Sequence, residues 1–174
     1  LSPAVAAEIA NQPEEADGLL GGQLMDVVIL MSDIRGFTGF TQEMTEQGKV
    51  KELVTRLNQY FSEVVNAVHS EQGTVDKFIG DAVLAVFGAP LKQSRSANVR
   101  AAVRTAIALQ KKLSDLNLDW EEQGQRAWQQ VVVISHGWVL SGNIGCASRM
   151  DYTVIGDAVN TASRLETIAK QTGQ

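Results

Sequence analysis

Two aspartates in this 174-residue sequence stand at the borders of apolar stretches, where buried strands would end. Asp33 closes the run VVILMSD, and Asp81 interrupts FIGDAVLAVFG directly after Gly80. Magnesium prefers a few carboxylate oxygens together with phosphate oxygens and water, so two aspartates at adjacent strand ends could hold divalent ions. Such ions activate an attacking oxygen and stabilise charge on a phosphate. The residue types alone leave a second interpretation open, in which both aspartates only favour turns.

The segment after Asp33, IRGFTGFTQ, combines two glycines with several hydroxyl side chains. Its backbone N–H groups could face a phosphate at the start of a helix. The signal is weak by itself, because the sequence contains no GxxxxGK[ST], GxGxxG or HExxH pattern. A phosphate site here therefore needs support from other residues.

A third stretch, DYTVIGDAVNTASRLE, carries an amide and a guanidinium four positions apart, Asn160 and Arg164. If a helix begins near Asp157, the two side chains lie on one face. The planar, permanently charged fork of Arg164 suits phosphate oxygens, and Asn160 could orient a sugar. An ordinary polar pair on an exposed helix face is the alternative.

Composition indicates one ordinary domain, with 44% hydrophobic and 20% charged residues. A net charge of −5 gives little support for nucleic-acid binding. The lone Cys146 suits a reducing compartment, and the apolar runs are too short for a membrane helix. We expect an N-terminal arm over residues 1–23 and a catalytic domain over 24–174, cut from a longer chain and incomplete at its C-terminal end.

Hydrophobic periodicity predicts an α+β fold with a ferredoxin-like split βαβ core, β-α-β-β-α-β, and its helices on one face of a mainly antiparallel sheet. The predicted elements are a strand at Asp26–Ser32, a helix at Gly48–His69, two strands around Gly80 within 74–87, a helix at Ala97–Leu118, and two strands, WQQVVVIS and WVLSGNIG, separated by His136 and Gly137.

Four motifs in this order, LMSDIRGFT, TVDKFIGDAVLAVFG, SGNIG and DYTVIGDAVNTASRLE, resemble the catalytic domain of the class III nucleotidyl cyclases, over roughly residues 22 to 170. The resemblance implies that Asp33 and Asp81 bind two divalent ions, Mg²⁺ or Mn²⁺, with the Ile34 carbonyl as a further ligand. It also implies that the backbone of one segment holds the triphosphate: Ile34, Arg35, Gly36, Phe37 and Thr38.

In the same family, Lys77 and Thr153 occupy the base-selecting positions. Adenine offers an acceptor at N1 and a donor at its exocyclic amine, which a lysine donor and a threonine oxygen complement, whereas guanine reverses that edge. The resemblance thus implies conversion of ATP to 3′,5′-cyclic AMP and pyrophosphate, with Asn160 and Arg164 stabilising the transition state.

The family works as a dimer in which one subunit gives the metal aspartates and the other gives the base-selecting residues, the asparagine and the arginine. A homodimer of this chain would then hold two composite sites. We expect the domain to lie in the cytoplasm and to be controlled by regulatory domains of a longer parent chain. That parent protein is either attached to a membrane or not. Two rivals stay open: a guanylate cyclase, and a catalytically silent module that binds nucleotide or dimerises.

Two departures from the family pattern bear on the site. Where relatives often read GIGINHGE, this chain reads VVVISHGW, with Val131, Val133 and Trp138 in place of two glycines and a polar residue. We therefore expect different packing there. The chain also stops before the region in which many relatives carry a further lysine for the triphosphate, so that lysine is expected beyond Gln174.

Overall fold

A computed structural model describes residues 21–172, so almost all of the predicted N-terminal arm, residues 1–23, lies outside the described part of the chain. The elements in chain order are β1 (Gln23–Ile34), α1 (Phe37–Glu46), α2 (Val50–Ser70), β2 (Thr74–Ile79), β3 (Ala82–Phe87), α3 (Arg95–Glu122), β4 (Gln130–Cys146), β5 (Arg149–Ile155) and α4 (Asp157–Thr172). The predicted α+β class and split βαβ core are confirmed.

The sheet has the strand order β2-β3-β1-β4-β5, and every neighbouring pair is antiparallel. Strand β1 is central, with β3 on one side and β4 on the other. Its residues from Val27 to Met31 are all buried, because side chains on both faces of this strand are covered. This explains why the segment is continuously apolar rather than alternating.

The two faces of the sheet are covered by different helices. Helices α2 and α3 pack on the face that carries Val28 and Leu30, as predicted for the split βαβ core. Helix α4, which follows that core in sequence, covers the opposite face through Ala158 and Ala162. Small side chains on this helix let its backbone approach the sheet closely, which fixes the position of its C-terminal turn near the end of β1.

The prediction of two strands separated by His136 and Gly137 is wrong. Strand β4 runs unbroken through both residues, and Gly137 pairs with Val27 of β1. A Cβ atom at Gly137 would lie only 3.2 Å from the Cβ atom of Ala158. The glycine therefore makes room for α4 instead of forming a turn. The true hairpin partner is β5, which the sequence interpretation did not assign as a strand.

An aromatic cluster ties α1 to the core. The rings of Phe37 and Phe40 meet the indole of Trp128 edge-on, with centroids 5.8 and 5.6 Å apart. The buried guanidinium of Arg56 lies 4.2 Å from the ring centre of Trp120 and 4.4 Å from that of Trp128. Because cation–π and edge-to-face contacts fix ring orientation, this cluster holds the segment between β1 and α1 in place.

The residues that depart from the family pattern lie along β4. Val131 is buried, Val133 packs against the α4 side of the core, and Trp138 is 58% exposed. Trp138 pairs across the sheet with Asp26 on the face away from α4. Val131 is the cross-strand partner of Asp33, so the departures change the packing of the sheet directly beside one of the predicted metal aspartates.

Candidate active site

The strand order brings the two predicted metal aspartates together. Asp33 is the penultimate residue of β1, and Asp81 lies in the turn between β2 and β3, after Gly80 with a left-handed φ of 64°. Since β3 is paired with β1, this turn stands beside the end of β1. The Ile34 N–H donates to Asp81 Oδ2 at 3.3 Å. Asp81 is therefore held against the backbone directly next to Asp33.

Asp33 is 6% exposed, and burial raises the pKa of its carboxyl to about 6. The negative charge of Asp81 raises this pKa further, and a hydrogen bond from the Lys170 ammonium lowers it. Burial is thus the main cause that disfavours the ionised form of Asp33, with the charge of Asp81 adding to it, and a positively charged partner favours that form.

Helix α4 supplies that partner. The Lys170 Nζ atom lies 2.6 Å from Asp33 Oδ1 and 2.7 Å from Glu166 Oε1, so one ammonium bridges two carboxylates. The guanidinium of Arg35 donates to the Ala169 carbonyl at 3.0 Å and thereby joins the same helix to the end of β1. Sequence reasoning missed Lys170, although its i,i+4 spacing from Glu166 on a predicted helix was visible.

The residues at this corner fit a hard divalent ion. They offer carboxylate oxygens in a buried position with surplus negative charge, which is the donor set that Mg²⁺ and Mn²⁺ accept. Between residues 21 and 172, no group of three or more His, Cys, Asp or Glu side chains is placed to hold a metal. A site made of Asp33 and Asp81 therefore depends on backbone and substrate oxygens as well, and the Ile34 carbonyl stays a predicted ligand.

The predicted triphosphate segment, residues 34–38, runs from the last residue of β1 into the start of α1. Gly36 adopts a left-handed conformation with φ 67° and caps the helix, and the first helical bond runs from the Phe40 N–H to the Gly36 carbonyl. The N–H groups of Phe37, Thr38 and Gly39 consequently have no acceptor farther back in the helix. Gly36 and Thr38 are exposed. This end of α1 can therefore donate backbone hydrogen bonds to an anion.

The two predicted base-selecting residues meet, although β2 and β5 are at opposite edges of the sheet. The Thr153 hydroxyl donates to Asp76 Oδ2 at 3.0 Å, and the Lys77 Nζ atom lies 3.3 Å from the same oxygen. The curved sheet thus joins both side chains through one carboxylate. Asp76 was not predicted as a site residue, and only its position directly before Lys77 could have suggested it.

Asn160 and Arg164 do not reach the aspartate corner of their own chain. Both are exposed, whereas Ala158, Ala162 and Glu166 of the same helix are buried. Two positions along a helix turn the side chain by about 200°, so the asparagine and the arginine face away from the buried row. The structure therefore places them together on one helix face, apart from Asp33 and Asp81.

The sequence matches the family of adenylate and guanylate cyclase catalytic domains over residues 22–173. The chain belongs to the class III nucleotidyl cyclases. The predicted family resemblance is confirmed, and the chain is a cyclase catalytic domain.

Three relatives show how close the similarity is. The adenylate cyclase of Anabaena cylindrica is 36% identical over 151 residues, which cover 84% of this chain and 28% of that protein. The crystal structure of the adenylyl cyclase CyaB from P. aeruginosa matches with a TM-score of 0.79 and 37% identity, covering 84% of this chain and 74% of that one. The guanylyl cyclase Cya2 matches with a TM-score of 0.76 and 33% identity, covering 84% and 72%.

Both kinds of cyclase are thus similar to this chain, so membership of the family does not decide between ATP and GTP. The chain also spans just over a quarter of the length of the curated relatives that it matches.

Proposed function

We propose that this domain is an adenylate cyclase that converts ATP to 3′,5′-cyclic AMP and pyrophosphate in a homodimer with two composite sites. The observation that carries the proposal is the meeting of Lys77 and Thr153 at the Asp76 carboxylate. The lysine offers N–H donors suited to adenine N1, and the threonine oxygen offers an acceptor suited to the exocyclic amine. Guanine presents the opposite polarity at both positions.

The reaction forms a bond between the ribose O3′ and the α-phosphorus and breaks the bond from that phosphorus to the bridging oxygen of the pyrophosphate. Asp33 and Asp81 would hold a divalent ion, whose positive charge would ease ionisation of the 3′ hydroxyl and offset charge on the triphosphate. The N–H groups at the start of α1 bind triphosphate oxygens. The chain needs no covalent intermediate for this displacement.

Arg164 and Asn160 complete the proposed machinery from the other subunit. The Arg164 guanidinium stabilises the charge that develops on the α-phosphate, and Asn160 orients the ribose. Both side chains are exposed on α4 and turned away from Asp33 of their own chain. A two-fold dimer supplies what one chain lacks, and each dimer then has two equivalent sites.

Guanylate cyclase activity is the second candidate, because the guanylyl cyclase Cya2 has the same fold at 33% identity. One experiment separates the candidates: purified protein is incubated with ATP or GTP, with Mg²⁺ or Mn²⁺, and the cyclic products are quantified by mass spectrometry. We expect kcat/KM to be at least about tenfold higher for ATP, because a reversed hydrogen-bond edge costs on the order of 1–3 kcal/mol. Predominant cyclic GMP contradicts the proposal, and absence of both products favours a silent module.

The proposal also covers where the domain acts in the cell and what controls it. No helix within the described range, residues 21–172, is long and apolar enough to cross a membrane. Because the relatives are much longer than this chain, we propose that regulatory domains of a parent protein control the dimer. Placement in the cytoplasm, where ATP is available, is likewise a prediction.

A further inference from the structure

We propose that Asp76 is a positioning residue that determines the choice of base by holding the hydroxyl proton of Thr153. This inference rests on the proposed function, because it concerns the adenine-binding part of the same site. It adds a third residue to the predicted pair of Lys77 and Thr153, and it assigns that residue a specific chemical task.

The backbone presents Asp76 in an unusual way. The pairing between β2 and β3 shifts register between Val75 and Lys77, so that Asp76 is the extra residue of a β-bulge. Bulges redirect a side chain out of the regular alternation of a strand. The Asp76 side chain is only 3% exposed, and it reaches Thr153 on the far edge strand β5. A nearly buried carboxylate at this position is costly unless donors satisfy it.

The hydrogen bond fixes the polarity of the threonine. A hydroxyl has one proton, and an ionised carboxylate can only accept. When the Thr153 proton is directed to Asp76 Oδ2 at 3.0 Å, the rest of the hydroxyl oxygen presents only lone pairs. That oxygen can accept from the amino group of adenine, but it has no proton to give to the O6 carbonyl of guanine. Without Asp76, the hydroxyl rotates freely and serves either base.

The contact of Asp76 with Lys77 is the weaker of its two effects. The Lys77 side chain is 48% exposed, and its Nζ atom lies 3.3 Å from Asp76 Oδ2. Exposed ion pairs contribute little, because water screens them and the long side chain stays mobile. The influence of Asp76 on the choice of base should therefore pass mainly through Thr153.

The test compares two substitutions of Asp76. Asp76→Leu removes the acceptor and keeps a similar volume, whereas Asp76→Asn keeps an amide oxygen that turns toward the two donors. The ratio of kcat/KM for ATP to that for GTP should fall about tenfold or more in Asp76→Leu and stay within about threefold of wild type in Asp76→Asn. The matched control is Asp115→Asn, at an exposed position of α3, which should change nothing.

A double substitution shows whether the effect passes through the hydroxyl. Once Thr153→Val has removed the proton, adding Asp76→Leu should change the ATP to GTP ratio less than about twofold, because neighbouring residues of one network are not additive. An unchanged ratio in Asp76→Leu, equal losses in Asp76→Leu and Asp76→Asn, or full additivity with Thr153→Val would each overturn the proposal. If Asp76→Leu does not yield folded protein by circular dichroism, Asp76→Ala is read in the same way.

A measurement of nucleotide binding tests the role of Asp76 independently of the proposed catalytic function. The nucleotides 3′-deoxy-ATP and 3′-deoxy-GTP lack the attacking hydroxyl, so their dissociation constants give the same ratio without turnover. A wild-type chain that forms no cyclic product contradicts the proposed function, and the binding ratio in Asp76→Leu still decides the role of Asp76. A chain that binds neither nucleotide contradicts both.

Discussion

Strand β1 carries two aspartates, one near each end, and their surroundings have opposite effects on their charge. Asp26 receives two hydrogen bonds from Arg95, at 2.7 and 2.9 Å, and its Oδ1 lies 2.6 Å from His136 Nε2. The hydrogen bond from Arg95 lowers the pKa of Asp26. Asp33 is more deeply buried and stands beside Asp81, and its pKa rises to about 6 even with Lys170 in contact.

The two aspartates therefore differ in how their negative charge is compensated. The charge of Asp26 is balanced by its partners, whereas negative charge remains in excess around Asp33. The carboxylate of Asp26 has the Arg95 guanidinium and the His136 imidazole as partners and needs no ligand. Asp33 and Glu166 share one ammonium, that of Lys170, and the negative charge of Asp81 acts on Asp33 as well. A strongly perturbed carboxyl with a like-charged neighbour is typical of a functional site, because surplus negative charge is favourable only when a cation binds.

The largest expected effect is the loss of activity when an aspartate of the candidate metal site is replaced. Asp33→Asn or Asp81→Asn should lower kcat for cyclic AMP formation by about 10³-fold, because each removes the charge that would hold the ion. The same isosteric change in the same strand, Asp26→Asn, serves as the control and should leave kcat within about twofold. Equal losses at positions 26 and 33, measured at a temperature where all variants are folded, would contradict the functional difference.

Replacing Lys170 should destabilise the folded domain, because the negative charge around Asp33 would then lack a cation. Lys170→Met leaves Asp33 and Glu166 without their shared cation, so the free energy of unfolding in urea should fall by about 1–3 kcal/mol. Added Mn²⁺ should restore stability in this variant by more than it stabilises wild type, since an ion that binds only the folded state adds to its stability. The matched control is Arg95→Met, which removes the cationic partner of Asp26 near the other end of β1, and Mn²⁺ should not restore its stability. If Mn²⁺ restored the stability of both variants, the ion would bind somewhere other than the Asp33 site.

The smallest effect is expected from Asp26 itself. Its pKa is lowered from the ordinary 3.8, so ionised Asp26 stabilises the fold above that pH, and the contribution disappears as pH falls through the lower folded pKa. Asp26→Asn should therefore lower Tm by no more than about 3 °C at pH 7. The difference from wild type should shrink below pH 3.8 in thermal melts. A difference that grows with acid would show that the pKa is shifted in the other direction.

Elements with a strong local pattern could be predicted from the sequence. The apolar repeat of α2 and the turn at Gly80 each follow from nearby residues, and the structure has both. Gly137 shows where local reasoning fails: a glycine between apolar runs suggests a turn, but its role is to admit Ala158 of a helix that follows later in the chain. Tertiary packing overrides local propensity there.

The residues of the candidate site can also be divided into those that the sequence predicted and those that it did not. The positions of Asp33 and Asp81 at the borders of apolar stretches, together with the order of the motifs, predicted both residues, and the antiparallel pairing of β1 with β3 explains their proximity. Lys170 and Asp76 were missed, because their importance depends on contacts across the fold: the end of α4 against the end of β1, and a bulge in β2 against β5. Neither contact leaves a periodic signal in the sequence.

The most direct test of the central claim, a site shared between two copies of this chain, is subunit complementation. Asp33→Ala and Arg164→Ala chains, each inactive alone, are mixed in equal amounts under conditions that allow subunit exchange, and cyclic AMP formation is measured. Half of the randomly formed dimers are mixed, and each has one intact site of two, so about a quarter of wild-type activity should return. No recovery at any mixing ratio, with mixed dimers verified by native mass spectrometry, would contradict a composite site.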